Sequence, residues 1–344
     1  MRGKNQTTIA VVIAAIVLVI IAGLYSLLRP PAPKPAPAPE PPQQQQQSRP
    51  EKQQAPQPIK GVPQLDVSKY KTEPSVTVWL ADKGQRDRMM LEKYIEGVIA
   101  QEMQPDWPLE ALKAQAICSR TLTLIAMEAG TIRRLHQTDV STAKEELQAF
   151  APEKVNDTVR EAVRATRGQV LLYAGGLVNS IYSSCNGQIA ATREESFPTE
   201  IPHETPYFQP VTDTCFQYAP ANIQRWTAVI PASQVANAIG YRGNPADIRI
   251  LQKGPSGRIL YIGAGDKKMY GSDFRRAVGY DRLKSTLVTE MRYANGSFHF
   301  TGLGWGNGVG LCQWGAYTFA KQGKKAEAML NHYYPGAEIK PLWK

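Results

Sequence analysis

Between Leu91 and Arg120 the chain reads LEKYIEGVIAQEMQPDWPLEALKAQAICSR, a stretch that carries one well-placed acid and two cations at helical spacing. At about 100° per residue, Leu91, Tyr94, Ile95, Val98 and Ile99 share one face, which reads as the core side. Glu92, Lys93 and Glu96 fall outside it and read as surface charges. Glu102 returns to within about 20° of Leu91, inside the apolar arc. A carboxylate there is partly desolvated, and desolvation disfavours the charged form, so Glu102 is a candidate general acid. A structural ion pair is the competing reading, and Pro105 and Pro108 can end the helix before Glu102. A second helix follows, with Asp106 as its cap, Pro108 in its first turn and Gly130 at its end. Leu109, Leu112, Ala116 and Leu124 form its apolar face, and Lys113 and Arg120 lie on or beside that face. These two cations either point with Glu102 to a common region or snorkel to solvent over apolar surface; Arg120 sits nearer the centre of the face.

Several elements must hold this pair of helices. PSVTVWLA, residues 74–81, alternates as a strand leading into the first helix. HQTDVSTAKEELQAF, residues 136–150, is polar and reads as a loop running into a short helix. Val159, Ala162, Val163 and Thr166 mark a helix that Gly168 ends. Gln169–Tyr173 and Leu177–Tyr182 read as strands about a Gly175-Gly176 turn. Strands are expected near Arg225–Ile230, Asp247–Gln252, Ile259–Ile262 and Phe298–Phe300. Glycines at 302, 304, 306, 308 and 310 then precede a helix from about Leu311 to Gln322. A Gly-rich loop at a helix start can bind anions, but neither G-x-G-x-x-G nor G-K-[ST] occurs, which argues against a nucleotide site. The fold class is therefore α+β: a mixed helix-and-sheet domain, in one piece or two lobes.

The N-terminus sets the compartment. A short tail, residues 1–7, carries Arg2 and Lys4, and residues 8–28 form an uncharged apolar run long enough to cross a bilayer. No A-x-A site follows and no cysteine lies near its end, so a retained transmembrane signal anchor is expected; a cleaved signal is the alternative. Residues 29–67 are rich in Pro and Gln and read as an extended linker, reaching on the order of 100 Å. Residues 68–344 are left as an extracytoplasmic domain on the outer side of the cell membrane. The net charge of +10 suits anionic wall polymers or headgroups, and export together with the lack of a nucleic-acid motif argues against nucleic acid. Of four cysteines, Cys185 and Cys215 are the preferred disulfide pair, with Cys118 and Cys312 as buried apolar residues. No H-E-x-x-H occurs and the four histidines are scattered, so no metal and no cofactor are expected.

YIEGVIAQEM followed by WPLEALKAQAICSRT resembles the signature of the stage II sporulation protein D family, which includes LytB-like amidase enhancers. The resemblance runs from about Pro74 to the C-terminus, through GQV at 168–170, YSSCNGQ at 182–188, PYFQPVTD at 206–213, GWGNGVGLCQWGA at 304–316 and HYYPG at 332–336. It implies a peptidoglycan lytic transglycosylase whose catalytic acid falls on Glu102, with Lys113, Arg120, Tyr182, Ser184, Gln313 and Trp314 as candidate substrate contacts. Ser183 and Asn307 stand where the family usually has His. Some members carry a His/Cys zinc cluster near 136–147, where this chain keeps only His136 beside Ser141, Glu146 and Leu147. The resemblance further implies cell-wall remodelling during sporulation, at engulfment, glycan strands as partner, and a cell-wall amidase nearby. Non-catalytic activation of such an N-acetylmuramoyl-L-alanine amidase is the first rival function. An inverting hydrolase pairing Glu102 with Asp213 or another carboxylate is the second, although Asp213 reads more readily as a local turn residue.

Overall fold

The computed structural model describes residues 56–344. The expected membrane segment at 8–28 and most of the linker lie outside the described residues. Among the described residues no helix is long and apolar enough to cross a membrane. The fold is α+β, and two hydrophobic cores organise it.

The first core begins with β1 (Ser75–Leu80), whose Val76, Val78 and Leu80 alternate inward. It pairs antiparallel with β2 (Gln85–Met90), from Ser75↔Met90 to Leu80↔Gln85, and parallel with β3 (Val140–Ser141). β2 is polar and exposed, so no apolar period announces it; it turns directly into α1 (Leu91–Glu102). α2 (Leu109–Ala129) starts from Pro108 in the N-cap position, not from Asp106, and ends on Gly130 in the left-handed region at φ 60°. α3 (Thr131–His136) follows, and α4 (Asp157–Ala165) is capped by Asn156, whose side chain accepts from the Val159 amide. β4 (Gln169–Tyr173) lies between β5 (Gly176–Leu177) and β14 (Glu338–Pro341). The single strand expected over 177–182 is instead split. Its start is β5, and its end is β6 (Tyr182–Ser183), which pairs in parallel with β13 (Leu311–Cys312). That pairing carries the Gly-rich run to the ends of α1 and α2. α9 (Gln313–Lys321) and α10 (Ala326–Tyr333) then close the first core.

The chain leaves the first core after α5 (Arg193–Ser196) and α6 (Ala221–Gln224), and builds the second over residues 225–303. Here β7 (Arg225–Pro231), β11 (Val288–Ala294) and β12 (Ser297–Leu303) form one sheet in the order β11-β12-β7. β8 (Arg249–Lys253), β9 (Ile259–Ala264) and β10 (Lys267–Tyr270) form another in the order β10-β9-β8. α7 (Ala232–Ile239) and α8 (Gly271–Val278) pack with them around Ile230, Val235, Ile262, Phe274 and Phe300.

Two further expectations are corrected. Residues 143–147 form a turn closed on the Ala143 carbonyl, not a short helix. The segment from Ile59 to Asp66, assigned to the linker, joins the domain: Ile59 and Leu65 pack on the first core, and the Leu65 amide donates to the Gly175 carbonyl. The apolar residues Ile59, Val62 and Leu65 interrupt the Pro/Gln composition at that point and give the chain something to bury.

Candidate active site

Glu102 is the last residue of α1; the helix runs to it because Pro105 and Pro108 come just late enough. The carboxylate is half-buried, and its Oε1 accepts from the Ala149 amide at 2.9 Å. Desolvation raises its pKa above the ordinary carboxylate value, opposed by hydrogen bonds from the Ala149 amide and the Tyr182 hydroxyl. Among the described residues no Lys, Arg or His pairs with it. The side chain is thus held in the state a proton donor needs.

Three segments converge to fix that geometry. Gly97, one turn back on α1, leaves no side chain, so the Phe150 ring lies against the helix and stacks on Tyr94 at 5.5 Å. The Ala151 amide donates to the Gly97 carbonyl, and the two contacts together hang the 148–150 segment over Glu102. Gln148 is buried; its amide donates to Thr123 Oγ1, and its Oε1 lies 3.1 Å from the Tyr182 hydroxyl, whose one proton it shares with Glu102. The third segment is the start of α9, where Gln313 Nε2 donates to the Glu102 carbonyl at 2.9 Å. Composition gave no signal for Gln148, Ala149 or Phe150, since their part is played through backbone and packing.

Two depressions reach Glu102's neighbours. One, of 370 Å³, is an aromatic shelf on which Trp107 and Trp314 lie 4.6 Å apart, with Tyr317 5.1 Å from Trp107 and Gln104 and Lys321 at its edge. The other, of 430 Å³, opens between the two cores and is lined by Tyr182, Glu195, Arg275, Trp305 and Asn307. Lys284 Nζ sits 3.9 Å over the Trp305 ring.

Residues 82–173, which include Glu102 and Arg120, match the family described as stage II sporulation protein. An uncharacterized protein of Brachyspira hyodysenteriae is 28% identical over 258 residues, 74% of this chain and 67% of that protein. The stage II sporulation protein D of Bacillus amyloliquefaciens is 26% identical over 280 residues, 77% of this chain and 78% of that one. A Bacillus subtilis protein named amidase enhancer is 24% identical over 293 residues, 71% of this chain but 40% of that protein. Residues 82–173 thus carry a stage II sporulation protein domain, in a chain similar along most of its length to stage II sporulation protein D.

Within that family frame, the structure separates the expected site residues. Trp314 is half-exposed on the aromatic shelf, Tyr182 reaches Glu102, and the half-exposed Ser184 hydroxyl has no partner among the described residues. Gln313 is corrected from sugar contact to support, because its amide nitrogen is buried against Glu102's own carbonyl. Arg120 is corrected outright. It is fully buried, and its guanidinium grips Glu92 from Nε and Nη2, with Nη2 to Oε2 at 2.6 Å, while Nη1 donates to the Gln169 carbonyl. Glu92, read as a surface charge, is buried with it and also accepts from Gly168 N and Trp343 Nε1. The helical wheel placed Glu92 away from α1's own apolar arc but could not show that α2 and the C-terminal Trp343 cover that side. Lys113 is corrected too: it pairs with Glu110 at 2.9 Å, on the side of α2 that meets α10, and makes no contact with Glu102.

The other substituted positions have local partners. Ser183 Oγ donates to Asn186 Oδ1, and Asn307 Nδ2 donates to the Tyr182 carbonyl, so the Asn that replaces the family's His ties the Gly-rich run to β6. At 136–147, where some family members hold zinc, His136 pairs with Glu146 at 2.9 Å and stacks on Trp79, and the residues present do not make a zinc ligand set. Asp213 is buried, its pKa pushed up to about 6 by that burial. Its Oδ1 accepts from the Cys215 amide and its Oδ2 from the Tyr333 hydroxyl, a turn residue tied to α10 with no hydrogen bond to Glu102. The expected Cys185–Cys215 disulfide is not present: all four cysteines are free thiols. Cys185 and Cys215 are adjacent, but Cys312 shares their pocket, its sulfur within 4.8 Å of both.

Proposed function

We propose that this chain is a peptidoglycan lytic transglycosylase that cleaves the MurNAc–GlcNAc bond of glycan strands and leaves 1,6-anhydro-MurNAc ends. One observation carries the reading: a half-buried carboxyl, raised in pKa by desolvation and free of any cation among the described residues, lies beside an aromatic shelf and a polar cleft. A lytic transglycosylase can work with a single carboxyl. Glu102 protonates the glycosidic oxygen as the C1–O bond breaks; the muramic 6-hydroxyl then closes on C1 and returns its proton to Glu102, which ends as it began. No water needs activation, so no second carboxylate is required at Glu102. Sugar faces stack on Trp314 and Tyr317, which the buried Trp107 backs, Ser184 offers a free hydroxyl, and Tyr182 orients the acid.

The placement that goes with this is a single-pass cell-membrane protein: tail 1–7, signal anchor 8–28, Pro/Gln-rich linker, and a catalytic domain held out toward the wall. Its setting is cell-wall remodelling during sporulation, beside a wall amidase. The test incubates the detergent-solubilised full-length chain with purified glycan strands and with intact peptidoglycan, and reads the products by mass spectrometry. Anhydro ends from the wild type and none from Glu102→Gln support the reading; ordinary reducing ends carrying solvent oxygen indicate a hydrolase. The name of the amidase enhancer relative favours one second reading, a wall-binding activator of an N-acetylmuramoyl-L-alanine amidase. Binding to both substrates without cleavage, with amidase stimulation that survives Glu102→Gln, would replace the first reading by this one.

A further inference from the structure

We propose that Cys185, Cys215 and Cys312 form a buried three-thiolate site for a zinc(II) ion, which clips together the loops behind the sugar-facing residues. The three sulfurs lie within 4.8 Å of one another, brought from positions far apart in sequence, and all are buried. Zinc–sulfur bonds of about 2.3 Å set the sulfurs of a tetrahedral site about 3.8 Å apart, so an inward shift of less than about 1 Å completes the set.

Two backbone amides point at the Cys312 sulfur. It accepts from the Asn186 amide at 3.3 Å and from the Gly315 amide at 3.2 Å, and it caps the N-terminus of α9, where the helix dipole favours negative charge. The Asp213 carboxylate lies beside Cys312, and the Gly187 carbonyl lies 2.9 Å from the Cys215 sulfur.

A second observation, independent of the sulfurs, is Arg258. It is fully buried, no carboxylate is ion-paired with it among the described residues, and its Nε has no partner. Its Nη2 donates to the Asn186 carbonyl at 2.6 Å, next to Cys185, and its Nη1 donates to the Ile189 carbonyl and to Ser256 Oγ. A buried cation needs an anion nearby. When zinc binds, each thiol loses its proton to solvent and forms a sulfur–zinc bond, leaving three thiolates and one Zn²⁺ with a net charge of −1. That charge complements Arg258. Arg258 also faces the buried Glu195 carboxylate across the Ser256 hydroxyl, which accepts from the guanidinium and donates to Glu195; three neutral thiols, or a disulfide and one thiol, would add no charge to that arrangement.

The site has a structural consequence. Cys185 follows Tyr182 and Ser184, and Cys312 precedes Gln313 and Trp314, while Cys215 belongs to the segment of Asp213. One ion therefore fixes two of the segments that reach Glu102 from outside α1, the third being 148–150, a role separate from the bond-breaking chemistry and independent of the function proposed above.

The experiment is metal analysis of the full-length chain, purified in detergent without chelator. About one zinc per chain is expected, lost in Cys215→Ser and Cys312→Ser and kept in Cys118→Ser, whose thiol lies outside the cluster. Cobalt(II) loaded into the metal-free wild type should give sulfur-to-metal charge-transfer absorption and tetrahedral visible bands; this arm stands even where a cysteine variant fails to fold. A wild type that takes up neither zinc nor cobalt, or one whose peptide map shows two of the three cysteines joined as a disulfide after non-reducing purification, overturns the proposal.

Discussion

The two glutamates at the ends of α1 have opposite fates. Glu92, in the first turn, is 6% exposed and enclosed by Arg120, the Gly168 amide and Trp343 Nε1. Glu102, in the last turn, is half-buried and has the Ala149 amide and the Tyr182 hydroxyl as donors and no cation. Both carboxyls are drawn away from water, but Glu92 is paired with a bidentate guanidinium and Glu102 has nothing of comparable strength beside it. Burial alone therefore does not distinguish an acid catalyst from a structural anion; the partner does. One end of the helix locks α1 to α2 and β4, and the other is left chemically available by that same rigid frame.

The sharpest test of the contrast is charge removal at each end. Glu102→Gln keeps the shape and removes the proton; activity should fall about 10²–10⁴-fold, the usual worth of a positioned general acid, read as anhydro ends per unit time. Its stability should not fall. Because Glu102's folded pKa lies above its unfolded value near 4.5, the stability it contributes is full below that value and is lost as pH rises through the raised pKa. Melting temperatures of wild type and Glu102→Gln should then match in acid, with the variant equal or higher at neutral pH; a variant less stable at neutral pH would break the comparison.

At the other end, Glu92→Gln leaves Arg120 buried without a counter-charge. It should destabilise by about 3–5 kcal/mol in urea unfolding, while the folded fraction keeps its turnover. The double change Glu92→Leu with Arg120→Met should recover most of that loss, because paired removal leaves no orphaned charge. A folded Glu92→Gln protein that loses turnover in full would mean that Arg120 reaches substrate after all.

What could be read from the sequence follows the same division. The 3.6-residue period marks α1 with its core face and Glu102, and alternation marks β1, because each of these elements buries its own apolar stripe, whereas β4 buries three residues in a row and is marked by the Gly175-Gly176 turn beside it. Position on one helix could not reveal what covers its other side, so Glu92 and Arg120 were assigned separately although they bind each other across 28 residues. β2 went unseen because its side chains are exposed, and the 177–182 strand was drawn whole because its break depends on β13, more than a hundred residues downstream. The site's supports at 148–150 act by a backbone amide and a stacked ring, which leave no compositional trace. The cysteine cluster was half legible: two sulfurs were paired, and the third was hidden by its place at a helix start.

A smaller effect is expected at Gly97. A Cβ there runs into the Phe150 ring, so Gly97→Ala should cost about 1–3 kcal/mol in overpacking, against about 1 kcal/mol regained in helix propensity. The more telling readout is activity. Displacing Phe150 shifts the Ala149 amide, and turnover should drop by more than the stability change predicts; an unchanged turnover would show that the 148–150 segment does not position the acid.

The smallest change expected is also the most specific. The Tyr182 hydroxyl hydrogen-bonds the ionised form of Glu102 and holds its pKa down against desolvation. Tyr182→Phe removes that donor and leaves the ring in place, so the Glu102 pKa should rise further. A general acid works while protonated, and activity falls as pH climbs through its pKa, so the alkaline limb of the pH–rate profile should move to higher pH in Tyr182→Phe. A residue that served packing alone would lower the melting temperature and leave that limb where it was. If the limb moved to lower pH, Tyr182 would be acting on some group other than Glu102, and the available end of α1 would need another account.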